Sequence, residues 1–426
     1  MALNPDEMRR KRMERARQRK VQQAMRRKLI VRLLIAAAIL TLVAVFIFMI
    51  DKPLAPVLPS SATEASTPPE TVPETQPETS AGTVPEEKFT TVHLALAGDL
   101  NVTDQVVSTD FSQAFLDVTP LLADADITAL NFEGNLCGSP YGSASKSAPQ
   151  EMMEAISRSG VDLVQLANSY SIFNGTSGLA STINAIYAAN MEPLGAYRDK
   201  ADFNAHKGYT IREVEDIKIA FVAFTKGMDG MALPAGSEDC VNVLYTDYDS
   251  TYQKVDVEGI TGILSEVQKE KPDIVVAMLH WGSEFNDTIS KSQKKIVDVL
   301  QENGVDAIIG THSHYVQKME FDRATGQFVA YSLGDFFGDA SRAGSEYSVV
   351  LDLEIVKDNE TGDAKIAGFT YTPIFTVAES GKPLRVVRIT EAMKAYEESY
   401  IEKVSQESYD KMKYALERID ARIKGE

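Results

Sequence analysis

The sequence predicts an α/β fold, strands covered by helices, on three observations. From residue 89 to about 340, short runs rich in Val, Ile and Leu alternate with amphipathic helical stretches, the pattern of buried strands joined by helices. Polar residues of ligand type stand just past several of these runs, where α/β sheets build their sites. The net charge of −18 is unevenly spread and separates an acidic body from a basic N-terminal stretch.

The predicted strands are TTVHLALAG (90–98), ADITAL (125–130), VDLVQLA (161–167), IKIAFVAFT (217–225), DIVVAML (273–279), DAIIG (306–310) and FVAYSLG (328–334). Helices are legible at 151–160, 176–190 and 291–304; the last starts after Ser290 and closes at Gly304, suitable cap chemistry at both ends. Residues 347–379 alternate around a DNETGD turn and read as a β-hairpin. From Thr390 to Lys424 the pattern is helical, with a break near Ser405 to Ser408, and no internal repeat is evident.

Ahead of this body lies a different kind of chain. Residues 33–50, LLIAAAILTLVAVFIFMI, hold no charge and only Thr41 as a polar residue. As a helix they span roughly 27 Å, close to the hydrocarbon thickness of a bilayer. With residues 29–31 extending it past a snorkelling Arg32, segment 29–50 is expected to be a single transmembrane signal-anchor helix. A cleavable signal peptide competes with this reading. Against it stand the long apolar run, the long basic region before it and the lack of an A-x-A site directly after it. Residues 1–32 carry 12 basic and three acidic side chains, whereas only Lys52 lies just after the span. The positive-inside rule therefore places segment 1–28 in the cytoplasm and the main domain outside, at the cell envelope. Eight of the 17 prolines fall in 51–88 among Thr, Ser and Glu, so this segment reads as an extended, solvated linker. The body follows at 89–388, with a C-terminal helical segment at 389–426.

Beyond residue 32 there are 31 basic and 58 acidic residues, a net −27. Such a body repels nucleic acid, whose binding rests on neutralising phosphates; the basic N-terminus is explained by topology and by contact with anionic lipid. The two cysteines, Cys137 and Cys240, permit a disulfide without requiring one, and neither belongs to a Cys-x-x-Cys metal pair.

The strand ends carry the chemistry. After successive predicted strands come Asp99; Asn131 and Glu133; Asn168 with Ser169 and Tyr170; His280; His312 and His314; and Asp335. Converging, they make an oxygen- and nitrogen-rich site suited to Mn, Fe, Zn or Mg. Taken alone, Asp99 also suits a turn or helix cap, and a lone histidine is more often structural. The pair His312/His314 is more informative, because two imidazoles on one side of an extended segment suit a metal. His93, inside the first strand, and His206, in a predicted loop, receive no role.

Six ordered segments resemble the CapA family of poly-γ-glutamate and capsule biosynthesis proteins: GD at 98–99, NFEG at 131–134, LANSY at 166–170, LHWGSEF at 279–285, GTHSHYVQ at 310–317 and YSLGDF at 331–336. The resemblance covers roughly 92–340 and implies a calcineurin-like, metallophosphoesterase-type sandwich of β-sheets flanked by helices. It further implies two divalent metal ions. Asp99 and His314 would hold one, Asn168, His280 and His312 the other, and Glu133 would bridge, with Asn131 hydrogen-bonding behind them. Such a pair would hold a phosphate-like group and activate water.

Four departures stand out. Tyr170 occupies the place of the family histidine that would act as acid, Ser169 replaces an asparagine, and Ile172-Phe173-Asn174-Gly175 lacks the acid of the usual continuation. A tyrosine, titrating near ~10, is a poorer proton shuttle than imidazole. Conversely, Asp335 adds a carboxylate where the family has Asn, either as a replacement ligand or as a solvated turn residue. The resemblance implies a membrane-anchored protein acting in synthesis, release or export of an anionic surface polymer, with polymer synthase or export subunits as partners. The alternatives are an extracytoplasmic metal-dependent phosphoesterase acting on an envelope phosphate ester and a catalytically silent binding or scaffold module.

Overall fold

Strand alternation explains how the body is layered. The structure is a computed structural model that describes residues 88–400 and 404–426; the basic segment, the proposed span and nearly all of the linker lie outside the described residues. Among the described residues no helix is long and apolar enough to cross a membrane. Residues Thr83–Glu426 form one compact unit.

The strands, in chain order, are β1 (Phe89–Asn101), β2 (Ile127–Glu133), β3 (Leu163–Gln165), β4 (Glu192–Leu194), β5 (Tyr209–Val214), β6 (Ile217–Thr225), β7 (Ile274–His280), β8 (Ala307–Thr311), β9 (Met319–Asp322), β10 (Gln327–Ala330), β11 (Tyr347–Asp358), β12 (Ala364–Val377) and β13 (Arg385–Arg388). One sheet has the order β13-β12-β11-β1-β2-β3-β4 and the other β5-β6-β7-β8-β10-β9. Pairing is parallel through β1-β2-β3-β4 and through β6-β7-β8-β10, with antiparallel strands at the flanks.

In β6 and β7, Ile219, Phe221, Ala223, Ile274, Val276 and Met278 join the large core shared with β1, β2 and β3. Their neighbours Ala220, Val222, Phe224, Val275, Ala277 and Leu279 face a second core. That second core contains Ile260, Leu264 and Val267 of helix Val257–Lys269 and Ile296, Val297 and Leu300 of helix Lys291–Glu302. Both faces of these strands are thus buried, which is why they read as unbroken apolar runs. Helices Gln150–Arg158 and Gly175–Ala188 add Met152, Met153, Ile156, Leu179, Ile183 and Ile186 to the large core. The C-terminal helix Gln406–Lys424 adds Met412, Ala415 and Ile419 to it. The result is the expected pair of sheets flanked by helices.

Several boundaries differ from the sequence reading. β1 runs on to Asn101 and β2 to Glu133, so Asp99, Asn131 and Glu133 belong to the strands. The β1–β2 register shifts between Leu96 and Asp99, a bulge that re-aims the side chains beyond it. The strand predicted at 328–334 stops at Ala330. His206, expected in a loop, ends helix Lys200–His206 and lies 3.3 Å from Asp202. The hairpin forms as expected, with Lys357 opposite Ala364. Helix Lys291–Glu302 carries a Ser290/Gln293 capping box. Cys137 and Cys240 are both free, one exposed and the other buried.

The first strand meets the segment after β10 at van der Waals limits. The Asp99 N–H donates to the Gly334 carbonyl at 3.1 Å, the Phe337 N–H to Asp99 at 3.1 Å, and the Asn101 N–H to Phe337 at 2.9 Å. A Cβ on Gly98 would lie 1.8 Å from the Gly334 carbonyl oxygen. Gly98→Ala is therefore expected to destabilise the fold by about 1–3 kcal/mol or more. Gly262→Ala, in helix Val257–Lys269 with open space around it, should be neutral or stabilising by up to about 1 kcal/mol. Urea denaturation of both variants checks this; equal effects would show that the close approach is not what excludes a side chain at Gly98.

Candidate metal centre

Six parallel strands, three from each sheet, aim their carboxyl ends at one place. β1 brings Asp99; β2 brings Asn131 and Glu133, two residues apart and so on one face; the loop after β3 brings Asn168. From the other sheet β7 brings His280, the loop after β8 His312 and His314, and the segment after β10 Asp335. All are nearly inaccessible, from 0% exposure for Asp99, Asn131 and His280 to 8% for His314.

The ionisable members sort into two groups, Glu133–His280–His312 and Asp99–His314–Asp335, the ligand-type atoms within each lying within 4.8 Å of one another. His312 and His314 thus fall into different groups, as the resemblance implied, with ring centroids 6.4 Å apart. The backbone that does this is not extended, contrary to the sequence reading. His312 and His314 have φ of +86° and +60°, left-handed values uncommon for residues with a Cβ, and the loop curls to turn each ring toward a different group. Asp335 is 6% exposed and its Oδ1 lies 2.7 Å from His314 Nδ1, which removes the reading of a solvated turn residue.

Neutral groups hold the ligands in place. Asn131 donates to Asp99 Oδ1 at 2.7 Å, and the His312 N–H donates to Asp99 Oδ2 at 2.9 Å. Asn168 donates to Asn131 Oδ1 at 3.0 Å and to the Phe132 carbonyl at 2.7 Å, while its own Oδ1 accepts the Tyr170 N–H at 3.0 Å. In this arrangement Asn168 orients Asn131 and keeps one free lone pair on Oδ1. Ser169 Oγ lies 3.0 Å from His280 Nε2, leaving Nδ1 as the ring atom that faces Glu133 Oε1 at 3.4 Å. Ser169 and Thr311, whose hydroxyl lies 3.2 Å from His280 Nδ1, were not assigned roles from sequence. Neither was Lys226, although it follows a predicted strand directly and its charge bears on His280 and His312.

Protonation follows from burial. Burial raises the Asp99 carboxyl to about 6, with Asp335 adding to the effect and His314, Asn131 and His312 opposing it. Burial, then the neighbouring Asp99, pushes Glu133 well above the usual range. His280 and His312 are driven well down, first by burial and then by surrounding positive charge. Burial would lower His314 too, but the charge and hydrogen bond of Asp335, with Glu133 and Asp99, outweigh it and raise the imidazole well above its ordinary value. Tyr170 is half-buried with its ring face 4.1 Å from Lys146 Nζ. Burial and nearby acids, Glu133 foremost, raise its hydroxyl far above the ordinary phenol range.

Divalent cations fit these residues. Glu133 Oε1 and His312 Nε2 are buried without any hydrogen-bond partner, a state that costs free energy for a polar atom unless something occupies it. Both are ligand atoms of one group, and the mixed oxygen–nitrogen donors suit Mn, Fe, Zn or Mg. A cation can bind only after displacing protons from Asp99, Glu133 and His314, all of which hold theirs more tightly than usual; neutral His280 and His312 present no such barrier. Apparent affinity for Mn²⁺ should therefore rise with pH, by about tenfold per unit for each proton displaced, through about 6 and on to neutrality. Calorimetric titration at pH 5, 6, 7 and 8 measures this. An affinity flat or falling over that range would detach metal binding from these carboxylates, and Asp99→Asn should lower occupancy at every pH.

A family model described as bacterial capsule synthesis protein PGA_cap matches residues 93–340. The chain is 26% identical over 254 residues to the capsule biosynthesis protein CapA of Bacillus anthracis, covering 58% of each chain. It is 26% identical over 265 residues to the PGA biosynthesis protein CapA of Bacillus subtilis, covering 61% of this chain and 64% of that one. The matches thus span about three fifths of these relatives' own length. The calcineurin-like phosphoesterase YfkN of Bacillus subtilis superposes with a TM-score of 0.43 at 15% identity, over 77% of this chain and 100% of that one. With more than half of its length matched by the family model and the strand-end residues gathered as described, this chain belongs to the bacterial capsule synthesis protein family PGA_cap.

Proposed function

We propose that this chain is a membrane-anchored, extracytoplasmic protein that acts in synthesis, release or export of an anionic surface polymer, poly-γ-glutamate or a capsule, alongside polymer synthase or export subunits. The names of its two Bacillus relatives support the polymer, and the charge asymmetry across residues 33–50 supports the anchor. The observation that carries the reading is the centre itself, two adjoining groups of buried ligands of which Glu133 Oε1 and His312 Nε2 lack partners.

Asp99, His314 and Asp335 would hold one divalent cation and Glu133, His280 and His312 a second, with Asn168, as the family resemblance implies, adding to the latter. Bound there, such cations supply positive field for an oxyanion and acidity for water. The protein's own part is positional. Asn131 fixes Asp99, Asn168 fixes Asn131, and Ser169 fixes the orientation of His280. Burial excludes bulk water from the ligands, which strengthens every charge interaction within.

Apart from the residues that would hold the cations, the centre lacks a group that gives up a proton near neutrality. Tyr170 stands at the position for it, and its hydroxyl, with pKa raised, holds its proton. It hydrogen-bonds to a ligand oxygen without protonating a leaving group. This favours a protein that binds and orients its anion over a phosphoesterase with a broad substrate range.

In a host whose only copy carries Asp99→Ala with His280→Ala, surface polymer should fall to the level of the deletion strain, while external protease on intact protoplasts still digests the body. Polymer at the wild-type level, or a body protected until lysis, would overturn the corresponding half of the reading. On the purified full chain, Tyr170→His should raise turnover of an alkyl phosphate ester by about 10- to 10³-fold, and of an aryl ester much less, with metal content unchanged. Brisk turnover of the alkyl ester by the wild type, lost in Tyr170→Phe, would instead make the phenol the working acid and the protein a phosphoesterase.

A further inference from the structure

Two half-buried lysines border the metal centre, and neither forms an ion pair among the described residues. Each is tied by the main chain to a strand end that supplies a ligand. The Asn135 N–H, two residues beyond Glu133, donates to the Lys146 carbonyl at 2.7 Å, and the Lys146 N–H donates to Gly142 at 2.8 Å. With its backbone so pinned, Lys146 adopts a φ of +50°. Its ammonium stands 4.1 Å from the centroid of Tyr170, and its charge reaches Glu133. On the other sheet the Lys226 N–H donates to the His280 carbonyl at 2.8 Å. The Lys226 ammonium donates to the Gly282 carbonyl at 3.0 Å and stands 5.0 Å over Tyr252. Its charge reaches both His280 and His312. Glu284 and Asp229 also bear on Lys226, without approaching to ion-pair distance.

Both lysines are only half withdrawn from water, so their ammoniums remain free to meet a ligand. An ammonium has three donors; one on Lys226 is used by Gly282, and aromatic faces hold both cations without consuming an N–H acceptor. Cations seated at the centre would attract one oxyanion, and the two ammoniums extend positive field to a strand end of each sheet. We propose that Lys146 and Lys226 are an anion grip, holding those oxyanion groups of a multiply charged ligand that extend past the group seated at the metal centre. The proposal rests on the reading of that centre as a seat for an anion. It deepens that reading by requiring a ligand with several oxyanions, whether carboxylates or phosphates.

The test is calorimetric binding to the full chain loaded with Mn²⁺, with manganese content measured before and after. The probes are γ-linked hexaglutamate as the polycarboxylate and tripolyphosphate as the polyphosphate. Lys146→Gln and Lys226→Gln together should weaken binding roughly 10- to 100-fold with manganese retained. The paired Arg variants should stay within a few-fold of wild type, and exposed Lys291→Gln within twofold. If the double variant loses manganese, the single variants carry the comparison. Lysine-dependent binding of tripolyphosphate alone keeps the grip and sinks the polycarboxylate polymer. Lysine-dependent binding by a chain that takes up no manganese keeps the grip and sinks the metal centre. A wild type that binds neither polyanion, or a double variant that binds both as tightly as wild type, overturns the grip.

Discussion

Everything at the centre depends on how closely two backbones approach at Gly98 and Gly334. β1 belongs to one sheet, and the segment carrying Gly334 leaves the other. A side chain on Gly98 would overlap the Gly334 carbonyl, so only glycine lets the N–H of Asp99 reach that oxygen. The same segment is pressed against β8, where a Cβ on Gly310 would fall 1.9 Å from the Tyr331 carbonyl oxygen. There the Trp281 indole N–H donates to that same oxygen at 2.9 Å. The run from Tyr331 to Phe337 is therefore a wedge between the sheets, and it sets the distance at which Asp99 from one sheet meets His312, His314 and Asp335 from the other.

That geometry concentrates ionisable groups where water does not reach. Burying charge is costly, and burial here shifts four of the groups toward their neutral forms. Asp99 and Glu133 retain their protons more readily than exposed acids, and His280 and His312 stay neutral. Only His314 and Asp335 settle matters between themselves. The arrangement is stable but incomplete, since Glu133 Oε1 and His312 Nε2, members of one group, are buried with no hydrogen-bond partner. A cation exchanges retained protons for coordination, so the strain of burial becomes pH-dependent metal affinity.

Much of this was legible in the sequence because strand ends and ligands coincide there. Asp99, Glu133, His280, His312 and His314 were each singled out by standing at the end of an apolar run, whereas the separation of His312 from His314 came only from the family resemblance. What escaped was of three kinds. Short strands such as β4, three residues long, carry no period to detect. Backbone geometry is invisible in a string of letters, so His312 and His314, both left-handed, read as an extended pair. Supporting residues lack chemistry of their own: Ser169 matters because its hydroxyl fixes one nitrogen of His280, and Lys146 because loop pairing returns it to Glu133. Lys226 is different, since the rule applied to the other strands would have found it at the end of IKIAFVAFT.

On the proposed reading, the loop after β3 would separate binding from bond cleavage within one site. Asn168 and Ser169 work on the ligand side, fixing Asn131 and His280 through hydrogen bonds that a serine or an amide makes as well as any other donor. Residue 170 would work on the proton side, where the identity of the group decides the outcome. An imidazole there would exchange its proton near neutrality. A phenol pushed upward by burial and by Glu133, Glu284, Asp229 and Asp99 does not. On the proposed reading, cleavage would rely on leaving groups that depart without protonation, whereas seating and orienting an anion would ask of residue 170 only a hydrogen bond, which a phenol is able to donate.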